Sequence, residues 1–272
     1  MRLGLLSDLH CELAPPRQRS WINAYEPHRL GQRLERAVEI FAAEQPDVVL
    51  LLGDTAELAE REAFDFVFAR VHRLQGPLIA AVAGNHDGGA DTAALEASAA
   101  AHDIRLLRGE TVGICGASLV GLSIAPVAPG GSAFSADVPE LTGQGAVTIL
   151  ASHFPMCSQE ARLTAAGLPY SGDLENRGAI ESLLGQQALP TVALSGHVHA
   201  RCSSTAGPVL QLTVGALIEA PFDCTIVDVQ TDDDVTVRRR AFTLGDAPRV
   251  NPVFAPADEE WRWSGDRWCD VH

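Results

Sequence analysis

The chain has 272 residues, 46% of them hydrophobic, which is enough to bury a sizeable core in one large domain. Its formal net charge is -15, from 35 acidic and 20 basic residues, and such a surface repels polyanions, so no nucleic-acid partner is expected. No apolar run approaches the roughly 20 residues that a membrane-spanning helix needs, and the first strand leaves no room for a signal peptide, so we expect a cytoplasmic protein without a membrane span.

We interpret residues 1–272 as one domain, with a core of 1–242 and a C-terminal tail of 243–272. The six cysteines include no CxxC pair, which argues against a zinc knuckle or a disulfide framework and favours reduced thiols. The acidic surface does not exclude a small phosphorylated substrate, because bound cations can make one cleft of an acidic protein positive.

The first ninety residues predict a β-α-β-α-β unit. Residues 2–7, 48–52 and 77–83 are continuous apolar runs, typical of strands in a parallel sheet that helices cover. The helical spacing i, i+3, i+4, i+7 occurs between these runs, at positions 34, 37, 38 and 41 and again within residues 64–71. The crossover connections should be right-handed.

The second half is richer in strand candidates. A short alanine-rich helix at 92–101 comes first. The strand candidates lie at 111–123, 146–152, 191–195, 209–214, 224–229 and 235–242. Residues 126–136 form a Gly/Pro/Ser-rich loop, and 230–234 an acidic hairpin turn.

Two segments, 12–29 and the tail from 250 onward, have no clear period but carry several aromatic residues. The simpler interpretation is that each is a surface loop that packs its aromatic side chains onto the domain. The alternative is a wall of the active site or a contact between subunits, so an oligomer stays possible.

Five polar clusters each follow an apolar strand candidate, and in open α/β sheets ligands collect at the carboxyl ends of strands. The clusters are Asp8-Leu9-His10, Gly53-Asp54, Gly84-Asn85-His86-Asp87, Ser152-His153 and Gly196-His197-Val198-His199. Alternate residues of an extended segment point the same way, so the first and last clusters can each aim two side chains at one ion. Taken singly, each cluster also fits a capping aspartate, a turn or a structural histidine. Five such clusters, each at the end of a strand candidate, indicate a common site.

This ordered set resembles the signature of the calcineurin-like metallophosphoesterase family, which reads Asp-x-His, Gly-Asp, Gly-Asn-His-Asp/Glu, a lone His and Gly-His-x-His. The resemblance runs from Ser7 to His199. It implies an α/β fold, a four-layer αββα sandwich with two mixed β-sheets flanked by helices. The change of pattern near the middle of the chain is consistent with this architecture.

The resemblance also implies two divalent transition-metal ions. Its motifs assign the first ion to Asp8, His10, Asp54 and His199, and the second to Asp54, Asn85, His153 and His197, with Asp54 bridging. Mixed oxygen and nitrogen ligands suit Mn, Fe, Zn, Co or Ni better than Ca or Mg. His86 would stand beside the phosphate as a catalytic residue, and Asp87 would fix its orientation.

The activity implied is hydrolysis of a phosphoester by in-line attack of a metal-bridging hydroxide, with a small phosphodiester as the expected substrate. The segment Gly53-Asp54-Thr55-Ala56-Glu57 departs from protein phosphatases, which have a later Asp-Arg-Gly. A phosphomonoesterase is the alternative, and a non-catalytic metal-binding scaffold is less favoured. We interpret Glu57 as a helix cap rather than as support for a metal ligand.

No strong candidate for a covalent nucleophile is present, since Cys11 and Cys157 are interpreted as ordinary buried thiols. The candidates for contacts to substrate phosphate or base are Arg17, Arg19 and Tyr170.

Overall fold

The computed structural model describes residues 1–13, 24–89, 91–137, 141, 145–167, 172–232, 234–245 and 255–271. The helices within these ranges are α1 (Leu30–Glu44), α2 (Arg61–Val71), α3 (Ala93–Ala101), α4 (Glu160–Ala165) and α5 (Arg177–Gly185), with a 3-10 turn at Pro27–Arg29. The strands are β1 (Arg2–Leu6), β2 (Val48–Leu52), β3 (Leu78–Val82), β4 (Arg105–Leu106), β5 (Thr111–Ile114), β6 (Ala117–Gly121), β7 (Ile124–Pro126), β8 (Phe134–Ala136), β9 (Thr148–Ala151), β10 (Thr191–Ser195), β11 (Cys202–Ala206), β12 (Val209–Thr213), β13 (Asp223–Gln230), β14 (Thr236–Thr243), β15 (Asp258–Trp263) and β16 (Trp268–Asp270). No helix in this part of the chain is long and apolar enough to cross a membrane.

The strands form two large mixed sheets and one small ribbon. The first sheet has eight strands in the order β16-β15-β14-β13-β1-β2-β3-β4, and the second has six in the order β11-β12-β10-β9-β6-β5. Strands β1 to β4 run parallel, as do β6, β9, β10 and β12, whereas the outer strands pair antiparallel. β7 and β8 pair separately.

Alternating side chains of β2 show how the sheets form layers. Val49 and Leu51 pack against the helices, in a cluster with Phe41 of α1 and Phe64 of α2. The remaining residues of β2 point to the other face, into a cluster shared with Leu194 and other residues of the second sheet. Since α5 covers the far face of that second sheet, the order of layers is helix, sheet, sheet, helix. The expected four-layer sandwich is confirmed.

Helix α1 follows from its sequence pattern. Its periodic apolar residues Leu34, Ala37 and Phe41 are fully buried, and the helix ends where Gln45 adopts a left-handed conformation before Pro46. A Cβ atom on Gly4 of β1 would lie 3.1 Å from the Phe41 ring. The missing side chain therefore lets this helix approach the sheet closely.

The candidate strand at 111–123 is wrong as a single strand. The structure has a hairpin instead, in which β5 and β6 pair antiparallel up to Ile114 and Ala117. The two residues between, Cys115 and Gly116, both have positive φ, as the tightest hairpin turns require. The loop expected at 126–136 likewise begins and ends in the short strands β7 and β8.

The tail is built differently from the loop that its sequence suggests. Strands β15 and β16 extend the first sheet beyond β14. Trp261 and Trp268 are 3% and 4% exposed and join the core between the sheets, and the Trp268 Nε1–H donates to the Pro208 carbonyl at 2.9 Å. The aromatic residues do pack onto the domain, but from regular strands.

The described end of the 12–29 segment lies beside the loop at 218–220. The Glu26 N–H donates to the Ile218 carbonyl at 2.9 Å, the Ala220 N–H donates to the Ala24 carbonyl at 2.9 Å, and Tyr25 forms a bridge with Glu219. The residues Arg17, Arg19 and Tyr170 lie outside the described ranges.

We predict that Trp261→Ala lowers the free energy of unfolding by about 3–5 kcal/mol, because it leaves a cavity between the sheets. Urea unfolding at equilibrium measures this loss. Trp263→Ala is the matched control, since Trp263 is half-buried and its loss should be smaller. A change below about 1 kcal/mol for Trp261→Ala would show that the tail does not contribute to the core.

Candidate metal centre

The five polar clusters meet where the carboxyl ends of parallel strands from both sheets come together. Asp8, Asp54 and Asn85 follow β1, β2 and β3, while His153 and His197 follow β9 and β10. Backbone hydrogen bonds join the first two turns, since the Asp8 N–H donates to the Gly53 carbonyl at 3.2 Å and the His10 N–H donates to the Asp54 carbonyl at 2.8 Å. The fold therefore brings distant parts of the sequence to one edge.

Five of the seven predicted ligands have a left-handed backbone conformation, which is uncommon for residues other than glycine. Their φ angles are 51° at Asp8, 42° at His10, 49° at Asp54, 68° at His197 and 50° at His199. Such conformations cost about 1–3 kcal/mol each and cluster at functional sites. These turns come two residues after the strand at Asp8, Asp54 and His197, and four residues after it at His10 and His199.

The first group of possible ligands is formed by Asp8, His10 and His199, whose ligand atoms all lie within 4.8 Å of one another. The Nε2 atoms of the two histidines are 3.2 Å apart, and His199 Nε2 is 3.3 Å from Asp8 Oδ1. Each Nδ1 faces a buried carboxylate instead, Glu57 Oε2 for His10 and Glu219 Oε2 for His199, both at 2.7 Å. Both imidazoles therefore turn Nε2 towards the same point.

The second group is formed by Asp54, His153 and His197. His153 Nε2 is 3.2 Å from His197 Nδ1 and 3.0 Å from Asn85 Oδ1. Asp54 Oδ2 lies between the two groups, 3.2 Å from His153 Nε2 and 3.5 Å from His10 Nε2. This is the position that a bridging carboxylate needs.

The donor atoms fit two divalent transition-metal ions. Carboxylate oxygens, one amide oxygen and four imidazole nitrogens face each other in a buried space, and the thiolates of a closed structural zinc site are not among these donors. Three of the four histidines, His10, His153 and His199, also have the outer hydrogen-bond partners that orient metal ligands. The structure brings all seven predicted ligands together, and which ion each one binds stays a prediction.

His86 lies at the rim of the centre and forms a third group with His10 and Asp54. Its side chain is 33% exposed. Its Nδ1 is 3.1 Å from the Glu57 carbonyl oxygen and 3.3 Å from Glu57 Oε1. The imidazole is thus held from one side and open on the other.

Asp87 does not have the expected contact with His86. Its carboxylate accepts hydrogen bonds from the Ala56 N–H at 2.9 Å and the Gly84 N–H at 2.8 Å. These bonds tie the turn that carries His86 to the segment after Asp54. The carboxylate at the His86 ring is that of Glu57, so Asp87 holds the backbone rather than the imidazole.

The interpretation of Glu57 as a helix cap is wrong. Helix α2 begins at Arg61 after Glu60, without a side-chain cap, and Glu57 is 5% exposed and bonded to His10. Glu219, which is 1% exposed, was missed by the sequence reasoning. Its signal is a single carboxylate inside an otherwise apolar stretch, 216–222, because a buried charge of this kind needs a partner.

The electrostatics reflect carboxylates and imidazoles packed together in the interior. Burial alone would raise the pKa of Asp8, but His199 lowers it to about 2, and His153 likewise holds the pKa of Asp54 well below its usual range against the effect of burial. Burial opposes the charged imidazoles, yet Asp54 raises the pKa of His153 to about 9 and Asp8 raises that of His199 to about 10. Burial, reinforced by His153, lowers the pKa of His197 to about 3.

The comparisons with known proteins agree with this geometry. A family model described as calcineurin-like phosphoesterase matches residues 1–201. A dimetal phosphatase from Danio rerio superposes with a TM-score of 0.65 at 14% identity, covering 91% of this chain and 97% of that one. The sulfate thiohydrolase SoxB of Thermus thermophilus superposes with a TM-score of 0.57 at 14% identity, covering 93% of this chain and 58% of that one. A 5'-nucleotidase precursor of Thermus thermophilus superposes with a TM-score of 0.55 at 14% identity, covering 90% of this chain and 54% of that one. At these identities the structures show a shared fold. The search of curated proteins gave no match.

We predict that metal binding to the metal-free protein at pH 7 releases about two protons, because His153 and His199 are protonated below pH 9 and metals bind the deprotonated imidazole. The apparent affinity should accordingly rise with pH and level off above about pH 10. Calorimetric titration with Mn²⁺ in buffers of different ionisation enthalpy counts the protons. Binding without proton release at pH 7 would contradict the assignment of these two ligands.

We predict that Gly84→Ala abolishes metal binding, since the added Cβ would lie 2.2 Å from the backbone nitrogen and Oδ1 of Asp54. The bridging carboxylate would have to move. Elemental analysis after incubation with Mn²⁺ measures the bound metal. Gly178→Ala in α5 is the control, because its Cβ meets nothing within 4 Å. Full metal content in Gly84→Ala would mean that the position of Asp54 is not essential.

Proposed function

The chain belongs to the calcineurin-like phosphoesterase family, and we propose that it hydrolyses a small phosphodiester at a centre of two transition-metal ions. The observation that carries this proposal is the position of Asp54 between two groups of ligands, with His86 beside both. Asp8, His10 and His199 would hold one ion together with Asp54. Asn85, His153 and His197 would hold the other with the same bridging carboxylate.

Bound cations of this kind polarise the phosphoryl oxygens and activate water for in-line attack on phosphorus. The role of the protein is to fix the positions of the ligands and to exclude competing nucleophiles. The thiols nearest in sequence to the ligands do not compete, because burial raises the pKa of Cys11 to about 12 and that of Cys157 to about 11. This supports direct hydrolysis without a covalent phosphoenzyme.

His86 is the candidate for the proton donor. Burial opposes its charge, but the hydrogen bond to Glu57 and the charge of Asp54 raise the pKa of His86 to about 9 in the metal-free protein. Since Nδ1 faces Glu57, Nε2 is the nitrogen that can reach a substrate. A protonated imidazole there can donate to the oxygen of the leaving group.

The preference for a diester over a monoester rests on the segment that carries Asp54. It reads Gly53-Asp54-Thr55-Ala56-Glu57, and the later Asp-Arg-Gly of protein phosphatases, whose arginine contacts the substrate phosphate, does not follow. A monoester carries a second negative charge on its phosphoryl oxygens, which a guanidinium would have to balance. A diester carries one, and the cations can balance it.

The experiment is to measure kcat/KM for bis(4-nitrophenyl) phosphate and 4-nitrophenyl phosphate with Mn²⁺, Zn²⁺, Co²⁺ and Ni²⁺. We expect the diester to react faster and Asp54→Asn to reduce kcat by about 10²-fold or more. His86→Ala should lose about 10²-fold for an alkyl leaving group and far less for nitrophenolate, which needs no protonation to leave. Asp47→Asn, at an exposed carboxylate that accepts from the Arg2 N–H, should not change either rate.

Faster hydrolysis of the monoester would establish the alternative, a phosphomonoesterase. Equal turnover by the wild type and Asp54→Asn, or no turnover with any of these metals, would contradict the proposal that the protein is an enzyme.

A further inference from the structure

The two groups of ligands differ in what lies behind their imidazoles. In the first group, His10 and His199 each face a buried glutamate, Glu57 and Glu219, at 2.7 Å. These carboxylates are 5% and 1% exposed, so water screens them little. Each one fixes the orientation of its ring and places a negative charge directly behind a metal ligand.

The second group has neutral support. His153 Nδ1 donates to the Leu52 carbonyl oxygen at 2.8 Å. The His197 ring packs against Phe154, with the ring centroids 4.0 Å apart. Among the described residues no carboxylate forms a hydrogen bond with the outer nitrogen of either histidine, and the remaining ligand, Asn85, is an amide.

The backbone holds both glutamates in place. The Glu57 N–H donates to the Cys11 carbonyl at 3.1 Å, directly after His10, and Cys11 forms a bridge with Ala56. Glu219 lies on the loop that pairs with Tyr25. The two carboxylates are therefore positioned before any ion arrives, and little ordering is needed on binding.

The carboxylates in hydrogen-bond contact favour the first group. Asp8 belongs to this group, and Glu57 and Glu219 bond to its imidazoles. Among the described residues, the imidazoles of the second group have only the shared Asp54 as a carboxylate partner, because Asp87, the other buried carboxylate close to Asp54, bonds to backbone N–H groups instead. We propose that Glu57 and Glu219 are positioning residues that make the first group the tighter site, so that the two metal ions bind in order and the second ion exchanges readily. This inference rests on the two-metal centre of the proposed function.

The test is a calorimetric titration of the metal-free, full-length protein with Mn²⁺. The wild type should bind two ions in two resolved steps. Glu57→Gln and Glu219→Gln should each weaken the first step by about 10–100-fold and leave the second within about threefold. Glu44→Gln is the control and should change neither step, because Glu44 pairs with Arg240 and lies beside Arg2 at the amino end of β1, opposite the end that carries the ligands.

A second experiment changes the charge of the second group instead of the first. Asn85→Asp gives the second group a carboxylate of its own and should tighten the second step, which narrows the gap between the two affinities. The visible absorption of the first equivalent of Co²⁺ is the spectroscopic readout. Glu57→Gln should shift this spectrum, and the spectrum of the second equivalent should stay the same. Thermal midpoints of the metal-free variants confirm that each is folded, and Glu57→Gln decides the result if Glu219→Gln does not fold.

Two equal steps in the wild type would overturn the inference, as would glutamine variants that leave the first step unchanged or weaken both steps equally. The failure of the proposed function gives a different pattern. Ordered binding in a protein that hydrolyses neither nitrophenyl ester would support the inference and contradict the function. Hydrolysis by a protein with two equivalent metal sites would support the function and contradict the inference.

Discussion

Asp8 and Asp54 lie in the interior and are 0% and 2% exposed. Glu57 and Glu219 lie directly behind the neighbouring imidazoles of His10 and His199. Buried carboxylates repel one another and require positive charge close by. In the metal-free protein that charge comes from imidazoles, which explains why the pKa of His153 and of His199 is raised while both aspartates stay ionised. The centre therefore carries excess proton affinity that bound cations replace, and metal binding and protonation become competing ways to neutralise one set of carboxylates.

The apolar layers make this concentration of charge possible. Left-handed turns at Asp8, Asp54 and His197 would relax if the strands before them were free to move. β1, β2 and β10 are held on both faces, by helices on one side and by the opposite sheet on the other. Burial of apolar side chains that have no role in the chemistry therefore stabilises the strained backbone of these turns. This division explains why the predicted metal ligands lie two to four residues after the ends of strands and not on long loops.

The sequence identified the parts that depend on local rules. Apolar runs and helical spacing located β1 to β3 and the helices between them, and the polar clusters at the strand ends located all seven candidate ligands. It preferred the wrong role for Glu57 and missed Glu219, because the partner of a buried carboxylate depends on which loops meet in space. The strands at Trp261 and Trp268 were missed for the same reason. β15 forms by pairing with β14, and β16 by pairing with β15, so these residues are buried by the sheet although they have no period of their own. Asp87 shows the limit of a motif, because being next to His86 in sequence did not place its carboxylate on the imidazole.

The net charge of the protein and the charge of its metal centre both act on an approaching substrate. A protein of net charge -15 attracts cations and repels a phosphate ester, and the metal-free centre adds carboxylates to that repulsion. This distribution of charge favours an order in which metal ions bind before an anionic substrate approaches. Asn85, His153, His197 and the shared Asp54 would hold the second ion with little negative charge, as we propose, so an anionic substrate would add charge that helps to hold this ion. Affinity for metal and for substrate would then rise together, because each supplies charge that the other lacks.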